Sequence, residues 1–448
     1  TTHLASAVPG TVAGLYAAHQ KFGRLPWKRL VQPAVRLARD GIVVSHDLAT
    51  KLVQAQNKLC AHEASCGYFF KAGGKPYKMG ELWVQKDLAR TLKLIGRNGP
   101  DAFYKGPIAD KIVAEMEAGG GLIDKASLAA YKAEFRQALH GTYRGYEIVT
   151  MPPPSSGGVH VLQMLNILEH FPLAEMGAGS ADKIHVLVEA MRLAYADRSE
   201  HLGDPGFYDV PVEWLTAKEY GKELAGTISM EQAQISADVY PGTAPAPESE
   251  ETTHFSVIDA DGNVVSNTYT LEASYGSGIS VTGAGFLLNN EMGDFVSKPG
   301  VPNQYGLLGG EANSVKAGKR PLSSMTPVIV LADGEPWFAT GSPGGSMIIT
   351  TVLQMIINVI DHGMGIADAA NRPRIHHQWY PDIVRVESDF SPDTIKLLED
   401  RGHTIRKRAT IYTSLQTVAF RDGLYRGASD PRRPHAGTAA PAEAVGGN

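Results

Sequence analysis

Apolar positions in the first 140 residues recur at helical spacing. The stretches 13–22, 30–40, 85–96 and 108–118 each carry apolar residues three and four apart, and several close on glycine. A mainly helical opening section, to about Leu139, is predicted. The period then changes. Tyr143 to Val149 alternates like a strand and enters Met151-Pro152-Pro153-Pro154-Ser155-Ser156-Gly157-Gly158, a loop that opens a helix over 159–170. Another helix is expected over 181–195. From Tyr240 a Pro-, Ala- and acid-rich segment without period runs directly into alternating residues at Thr252. These predict a strand, a turn at Asp261-Gly262-Asn263 and a partner strand over 264–271.

The remaining chain reads as β-rich. Residues 285–290 look like a strand, and a Gly/Pro/Asn loop over 298–310 contains Tyr305. Strands over 326–332 and 336–340 bracket the turn Asp333-Gly334-Glu335. The second enters Gly341-Ser342-Pro343-Gly344-Gly345-Ser346, which opens a helix over 348–362 that is apolar nearly all round and therefore buried. Short helices are expected over 367–371 and 393–401, and the tail from Asp430 is rich in Pro, Ala and Gly. Strands around two helix-opening loops, with helices before and after, predict α+β architecture with sheets covered by helices.

Composition narrows the function. The 448 residues carry a net charge of -5, so there is no basic footprint and nucleic acid is not an expected partner. No apolar run approaches the ~20 residues of a membrane helix, so no membrane partner is expected. Cys60 and Cys66 allow a local disulfide or two free thiols, and their spacing suggests neither zinc nor catalysis.

Several stretches carry candidate chemistry. If the chain is cut between Glu251 and Thr252, Thr252 gains an α-amine of pKa about 8 beside its own hydroxyl, an arrangement that activates a nucleophile. Left intact, the same stretch is a linker entering a hairpin. The first N–H groups of a helix lack internal partners, so the Gly344-Gly345 loop can hold an oxyanion, or be a plain turn. No phosphate-binding fingerprint accompanies it. Ser323 and Ser324, after Arg320, could receive a carboxylate or be ordinary loop serines, and Glu272, Glu291 and Asp294 could grip an ammonium group or simply be solvated. The pair His376-His377 lacks a third ligand at metal spacing and reads as packing or surface. Ser156 invites a serine-hydrolase reading, but no His or acid is tied to it by sequence.

In this order the stretches resemble the γ-glutamyltranspeptidase (glutathione hydrolase) family of N-terminal-nucleophile hydrolases, bacterial type. The resemblance covers essentially the whole chain. It rests on Pro9-Gly10-Thr11-Val12-Ala13-Gly14, residues 151–158, Thr252-Thr253-His254-Phe255-Ser256, Leu288-Asn289-Asn290-Glu291-Met292, residues 320–325 and residues 341–346. It implies an αββα sandwich of two stacked antiparallel sheets covered by helices. It also implies a precursor that cleaves itself between Glu251 and Thr252. The products are a large subunit (1–251) and a small one (252–448), interlocked in one fold. By the same resemblance Thr252 is the nucleophile, Thr270 orients its amine, and Gly344 and Gly345 form the oxyanion hole. Glu272, Glu291 and Asp294 hold the α-ammonium of the substrate, Ser323 and Ser324 its α-carboxylate, and Tyr305 belongs to a lid. Expected substrates are glutathione and γ-glutamyl compounds, with amino-acid or dipeptide acceptors. No cofactor or metal is implied, and the location implied is periplasmic or extracellular.

Two departures stand out. Glu272 occupies a position where some bacterial members carry Asn. The family's N-terminal segment, which contributes core strands and a carboxylate-binding Arg, is absent, so the chain is expected to be a fragment or trimmed form. The rival readings are a cephalosporin (glutaryl) acylase of the same superfamily, an uncleaved inactive scaffold, and a serine hydrolase built on Ser156.

Overall fold

The computed structural model describes residues 2–239, 252–296, 298, 301, 307, 309–433 and 435–440. The chain divides into two compact units, one of residues 1–136 and 270–292, the other of 137–269 and 293–448.

The first unit is mainly helical, as the periodicity predicts. Helices Thr11–Phe22, Trp27–Asp40, Lys86–Asn98 and Pro107–Gly119 lie close to the expected ranges. Local chemistry sets their ends. Pro107 takes the first turn, where its missing N–H removes no hydrogen bond, and Gly120 closes that helix at φ 70°. Further helices of this unit were not read from the sequence, among them two joined by a disulfide. His46–Leu59 is capped by the Ser45 hydroxyl, which accepts from the Leu48 amide at 3.1 Å, and Glu63–Phe69 follows it. Cys60 and Cys66 form a disulfide between these two helices. Ile108, Ile112, Met116 and Leu128 pack with Ile279, Val281 and Leu288 in one core. The strand expected over 285–290 does not form. Gly283 and Gly285, at φ 72° and 78°, fold the chain back, and only Leu287 bridges Ser280. The apolar run there serves packing, with Leu288 fully buried.

The second unit is built on a six-stranded antiparallel sheet. Its strands are β3 (Leu139–Tyr143), β4 (Tyr146–Thr150), β7 (Val328–Ala332), β8 (Glu335–Thr340), β12 (Gln416–Arg421) and β13 (Leu424–Ser429). They are ordered β13-β12-β8-β7-β4-β3. The single strand expected over 143–149 is a hairpin, because Arg144 and Gly145 both take positive φ (52° and 85°) and turn the chain. Ile148, Val330, Phe338 and Ala419 join one core with residues of helices Gly157–Leu168, Ala181–His201 and Met347–Ile360. Each fully buried Leu, Ile or Val contributes about 1.5–3 kcal/mol. The last helix is buried over 347–359, as its all-round apolar sequence requires.

Over the sheet lies a second antiparallel pair, β5 (Thr253–Ile258) and β6 (Val264–Tyr269). It contacts β7, β8 and β12. The Ser256 hydroxyl donates to the Gln416 carbonyl and the Ser266 hydroxyl to the Thr340 carbonyl, both at 2.9 Å. Stacked antiparallel sheets with covering helices are the architecture expected. Strands β12 and β13 were not read from the sequence, although Asp422-Gly423, which joins them at φ 55° and 74°, is a two-residue hairpin signal. The tail leaves them through a buried ion-pair network in which Arg374 meets Asp430, and Arg432 meets both Asp430 (3.1 Å) and Glu387 (2.7 Å).

Candidate active site

Thr252 immediately precedes the first rung of the β5–β6 ladder, Thr253 opposite Tyr269, and Thr270 immediately follows it. Two residues into β5, the His254 ring is buried. Its Nδ1 lies 2.8 Å from the Thr268 hydroxyl and its Nε2 2.9 Å from the Ser256 hydroxyl. The ring packs on Gly341, the first residue of the loop that follows β8. That contact joins the Thr252 strand to the glycine loop.

The loop is shaped for close approach. Gly344 and Gly345 take φ 134° and 53°, a region that favours glycine. A Cβ at Gly344 would lie 2.5 Å from Thr413 Cγ2. The Ser342 hydroxyl accepts from the Ser414 amide at 2.9 Å, and the Ser346 hydroxyl donates to Gln378 Oε1 at 2.7 Å. Tyr195 donates to the Ser346 carbonyl at 2.5 Å. Among the described residues the Gly344 and Gly345 amides meet no acceptor. They are donors at the start of helix Met347–Ile360, where the dipole favours negative charge.

A second constellation in the same unit surrounds Arg198, on helix Ala181–His201. Its guanidinium is buried, donating from Nε to the Ser156 hydroxyl (2.9 Å) and from Nη2 to the Ser324 hydroxyl (3.1 Å). The Ser156 amide and hydroxyl both donate to the Ser323 carbonyl at 2.8 Å, and Ser323 returns its amide to the Pro154 carbonyl at 2.8 Å. The loops over 151–158 and 320–325 are thus laced together. Gly157 and Gly158 allow it: a Cβ at either would meet a backbone carbonyl oxygen, of Met325 at 2.5 Å or of Met151 at 2.1 Å. Asp294 feels the Arg198 charge. Burial pushes its carboxyl up to about 7, with Arg198 acting in the opposite sense.

This geometry removes the serine-hydrolase reading. Ser156 is fully buried, its hydroxyl proton is committed to the Ser323 carbonyl, and its oxygen accepts from Arg198. Among the described residues no base contacts its hydroxyl.

The other predicted residues lie in the first unit. Glu272 is buried at φ 79°, its amide donates to the Thr270 hydroxyl at 2.8 Å, and its carboxylate accepts from the Asn290 side chain. The Glu291 amide donates to Asn289 Oδ1 at 3.1 Å. Glu251 and Tyr305 fall outside the described residues. The pair His376-His377 is buried, bonded to Thr350, Gln378 and Asp382, as the packing reading has it. Arg198 was missed. It sits in a long helix with several buried charged positions, Lys183, Glu189, Arg192 and Arg198, and no local spacing marks which of them faces a site.

The architecture is that of the N-terminal-nucleophile hydrolases. The chain superposes on the crystal structure of a cephalosporin acylase from Bacillus halodurans with a TM-score of 0.84 at 28% identity, covering 96% of this chain and 77% of that one.

Within that class the chain belongs to the γ-glutamyltranspeptidase family, whose sequence pattern, described as gamma-glutamyltranspeptidase, matches residues 1–440. It is 52% identical over 433 residues to the glutathione hydrolase proenzyme of Escherichia coli (strain K12), covering 96% of this chain and 74% of that protein. It is 44% identical over 443 residues to the glutathione hydrolase proenzyme of Pseudomonas sp. (strain A14), covering 97% and 77%.

Proposed function

We propose that this protein is a γ-glutamyltransferase and glutathione hydrolase acting through a γ-glutamyl ester on Thr252. The observation that carries the reading is the seating of His254 on Gly341. It couples the strand headed by Thr252 to the loop bearing two glycine amides without acceptors among the described residues.

Processing comes first. The Thr252 hydroxyl attacks the Glu251 carbonyl, the C–N bond breaks, and water hydrolyses the resulting ester. The large subunit then ends at Glu251, and the small one begins with a free amine at Thr252. In turnover that amine, oriented by Thr270, takes the hydroxyl proton as Oγ attacks the γ-glutamyl carbonyl. The Gly344 and Gly345 amides receive the oxyanion; removing such a donor typically slows catalysis ~10²–10³-fold. The amine returns its proton to the leaving nitrogen. Water, an amino acid or a dipeptide then resolves the ester with the same amine as base. No step requires a cofactor.

Ser323 and Ser324 hold the donor's α-carboxylate, and Arg198 aligns Ser324 and adds positive charge behind it. By their match to the family's motifs, Asp294, Glu272 and Glu291 are assigned to the α-ammonium of the donor and Tyr305 to the lid. The Cys60–Cys66 disulfide supports a location outside the reducing cytoplasm, in the periplasm or beyond the cell.

The glutaryl acylase alternative has one point in its favour, the likeness to a cephalosporin acylase. A glutaryl group lacks the α-ammonium, however, and would leave Asp294, Glu272 and Glu291 without a cationic partner. Faster hydrolysis of glutaryl than of γ-glutamyl anilide would refute the substrate assignment. The decisive experiment is Thr252→Ala. The variant should remain one band on a denaturing gel and release no anilide, and either cleavage or turnover in it would sink the proposal.

A further inference from the structure

Away from these residues, the first unit gathers metal-ligating side chains from three separate places. His3 lies in the short turn His3–Ala5, His62 precedes helix Glu63–Phe69 inside the loop closed by Cys60 and Cys66, and Glu115 projects from helix Pro107–Gly119. His3 Nε2 is 3.1 Å from Glu115 Oε1, and the two imidazole centroids are 5.1 Å apart. One ligand atom from each residue lies within 4.8 Å of the other two.

The three groups are held in place. The His3 ring lies flat against Gly119, where a Cβ would be 2.0 Å from Nδ1. The second Glu115 oxygen accepts from the Thr282 amide (3.2 Å) and hydroxyl (2.7 Å), which orients the carboxylate as outer partners orient metal ligands. His3 is buried, the Glu115 side chain is about 10% exposed, and the partly exposed His62 leaves a way in from solvent.

We propose that His3, His62 and Glu115 bind one divalent transition-metal ion of the zinc class. Two imidazole nitrogens and one carboxylate oxygen are a borderline donor set, suited to Zn²⁺, Co²⁺ or Ni²⁺ rather than to Mg²⁺ or Ca²⁺, and a water completes the tetrahedron. Ligands about 2.0–2.2 Å from zinc sit roughly 3.3 Å apart, so the His3–Glu115 separation already fits and His62 needs a small side-chain rotation. The ion ties the start of the chain to the disulfide loop and to helix Pro107–Gly119. It takes no part in acyl transfer.

The test uses the full chain, stripped with a chelator and titrated with Zn²⁺ against a chromophoric competitor, and with Co²⁺ followed by visible absorption. One tight equivalent is expected, with the d–d bands of low-coordinate Co²⁺ and a Zn²⁺-dependent rise in Tm. His62→Ala and Glu115→Gln should each weaken binding at least about tenfold. Circular dichroism of both variants checks that they fold. His403→Gln is the control, because His185, Glu189 and His403 form another buried cluster. No stoichiometric Zn²⁺ site in the parent protein, undiminished binding in both variants, or loss only in His403→Gln would each overturn the proposal.

Discussion

The imidazole of His254 fills the space that any side chain at Gly341 would need, since a Cβ there would stand 2.3 Å from the ring. The ring is a strut and not a base. The Ser256 proton is committed to the Gln416 carbonyl, so Nε2 is assigned as the donor to Ser256 and Nδ1 as the acceptor from Thr268. Burial drives the His254 pKa down to about 3, which keeps the ring neutral at working pH.

Gly341→Ala should therefore push the Thr252 strand off the loop bearing Gly344 and Gly345. An overpacked core position loses about 1–3 kcal/mol, so Tm should fall by several degrees. Self-cleavage should slow more than stability alone explains. A variant that matures at the parental rate on a time-course gel would show that this contact does not align the two elements.

Arg198→Met should raise KM for γ-glutamyl donors at least about tenfold, because Ser324 and Ser156 lose a charged donor and Asp294 loses its countercharge. The measurement is initial-rate kinetics with a γ-glutamyl anilide. An unchanged KM with a lowered kcat would place Arg198 in the chemistry rather than behind the substrate.

On the proposed assignment of Asp294 to the substrate ammonium, donor choice should depend on pH. The Asp294 carboxyl, pushed up to about 7 by burial, must be ionised to hold an ammonium. The ratio of kcat/KM for γ-glutamyl over glutaryl anilide should rise about tenfold per pH unit below 7 and flatten above. Titration of the Thr252 amine affects both donors and cancels in the ratio. In Asp294→Asn the ratio should be flat, and a persisting slope would exclude Asp294 as its source. The folded pKa also exceeds the unfolded one. Asp294 therefore binds an extra proton on folding between pH 3.8 and about 7 and opposes stability as pH rises through that window.

The network of Arg374, Asp430, Arg432 and Glu387 reaches the Gly344-Gly345 loop through Thr413, whose hydroxyl accepts from Arg374 at 2.7 Å and whose methyl abuts Gly344. Arg374→Ala leaves a buried carboxylate poorly compensated and should cost about 3–5 kcal/mol, read by denaturant unfolding. Thr413→Val keeps the shape but removes the acceptor, so it should lower kcat with a smaller loss of stability. Equal kcat in Thr413→Val and the parent would disconnect this network from catalysis.

What the sequence determined by itself is local. Helical period, Gly closing a helix and the Asp261-Gly262-Asn263 turn placed most of the longer helices and the β5–β6 hairpin close to where they stand, because each signal acts within one or two turns of chain. Ordered motifs pointed to Thr252 and to the glycine loop. Tertiary structure alone decided which buried charge serves a site. Arg198 finds Ser156 and Ser324, and Arg374 finds Asp430, across separations that carry no period. It also turned 285–290 from a strand into packing, because Gly283 and Gly285 reverse the chain there and Leu288 enters a core assembled with residues near 108–128. Patterns along a chain report which face is apolar. The partner of a buried polar group is set by what folding brings to it, because only there does desolvation make an unpaired charge costly.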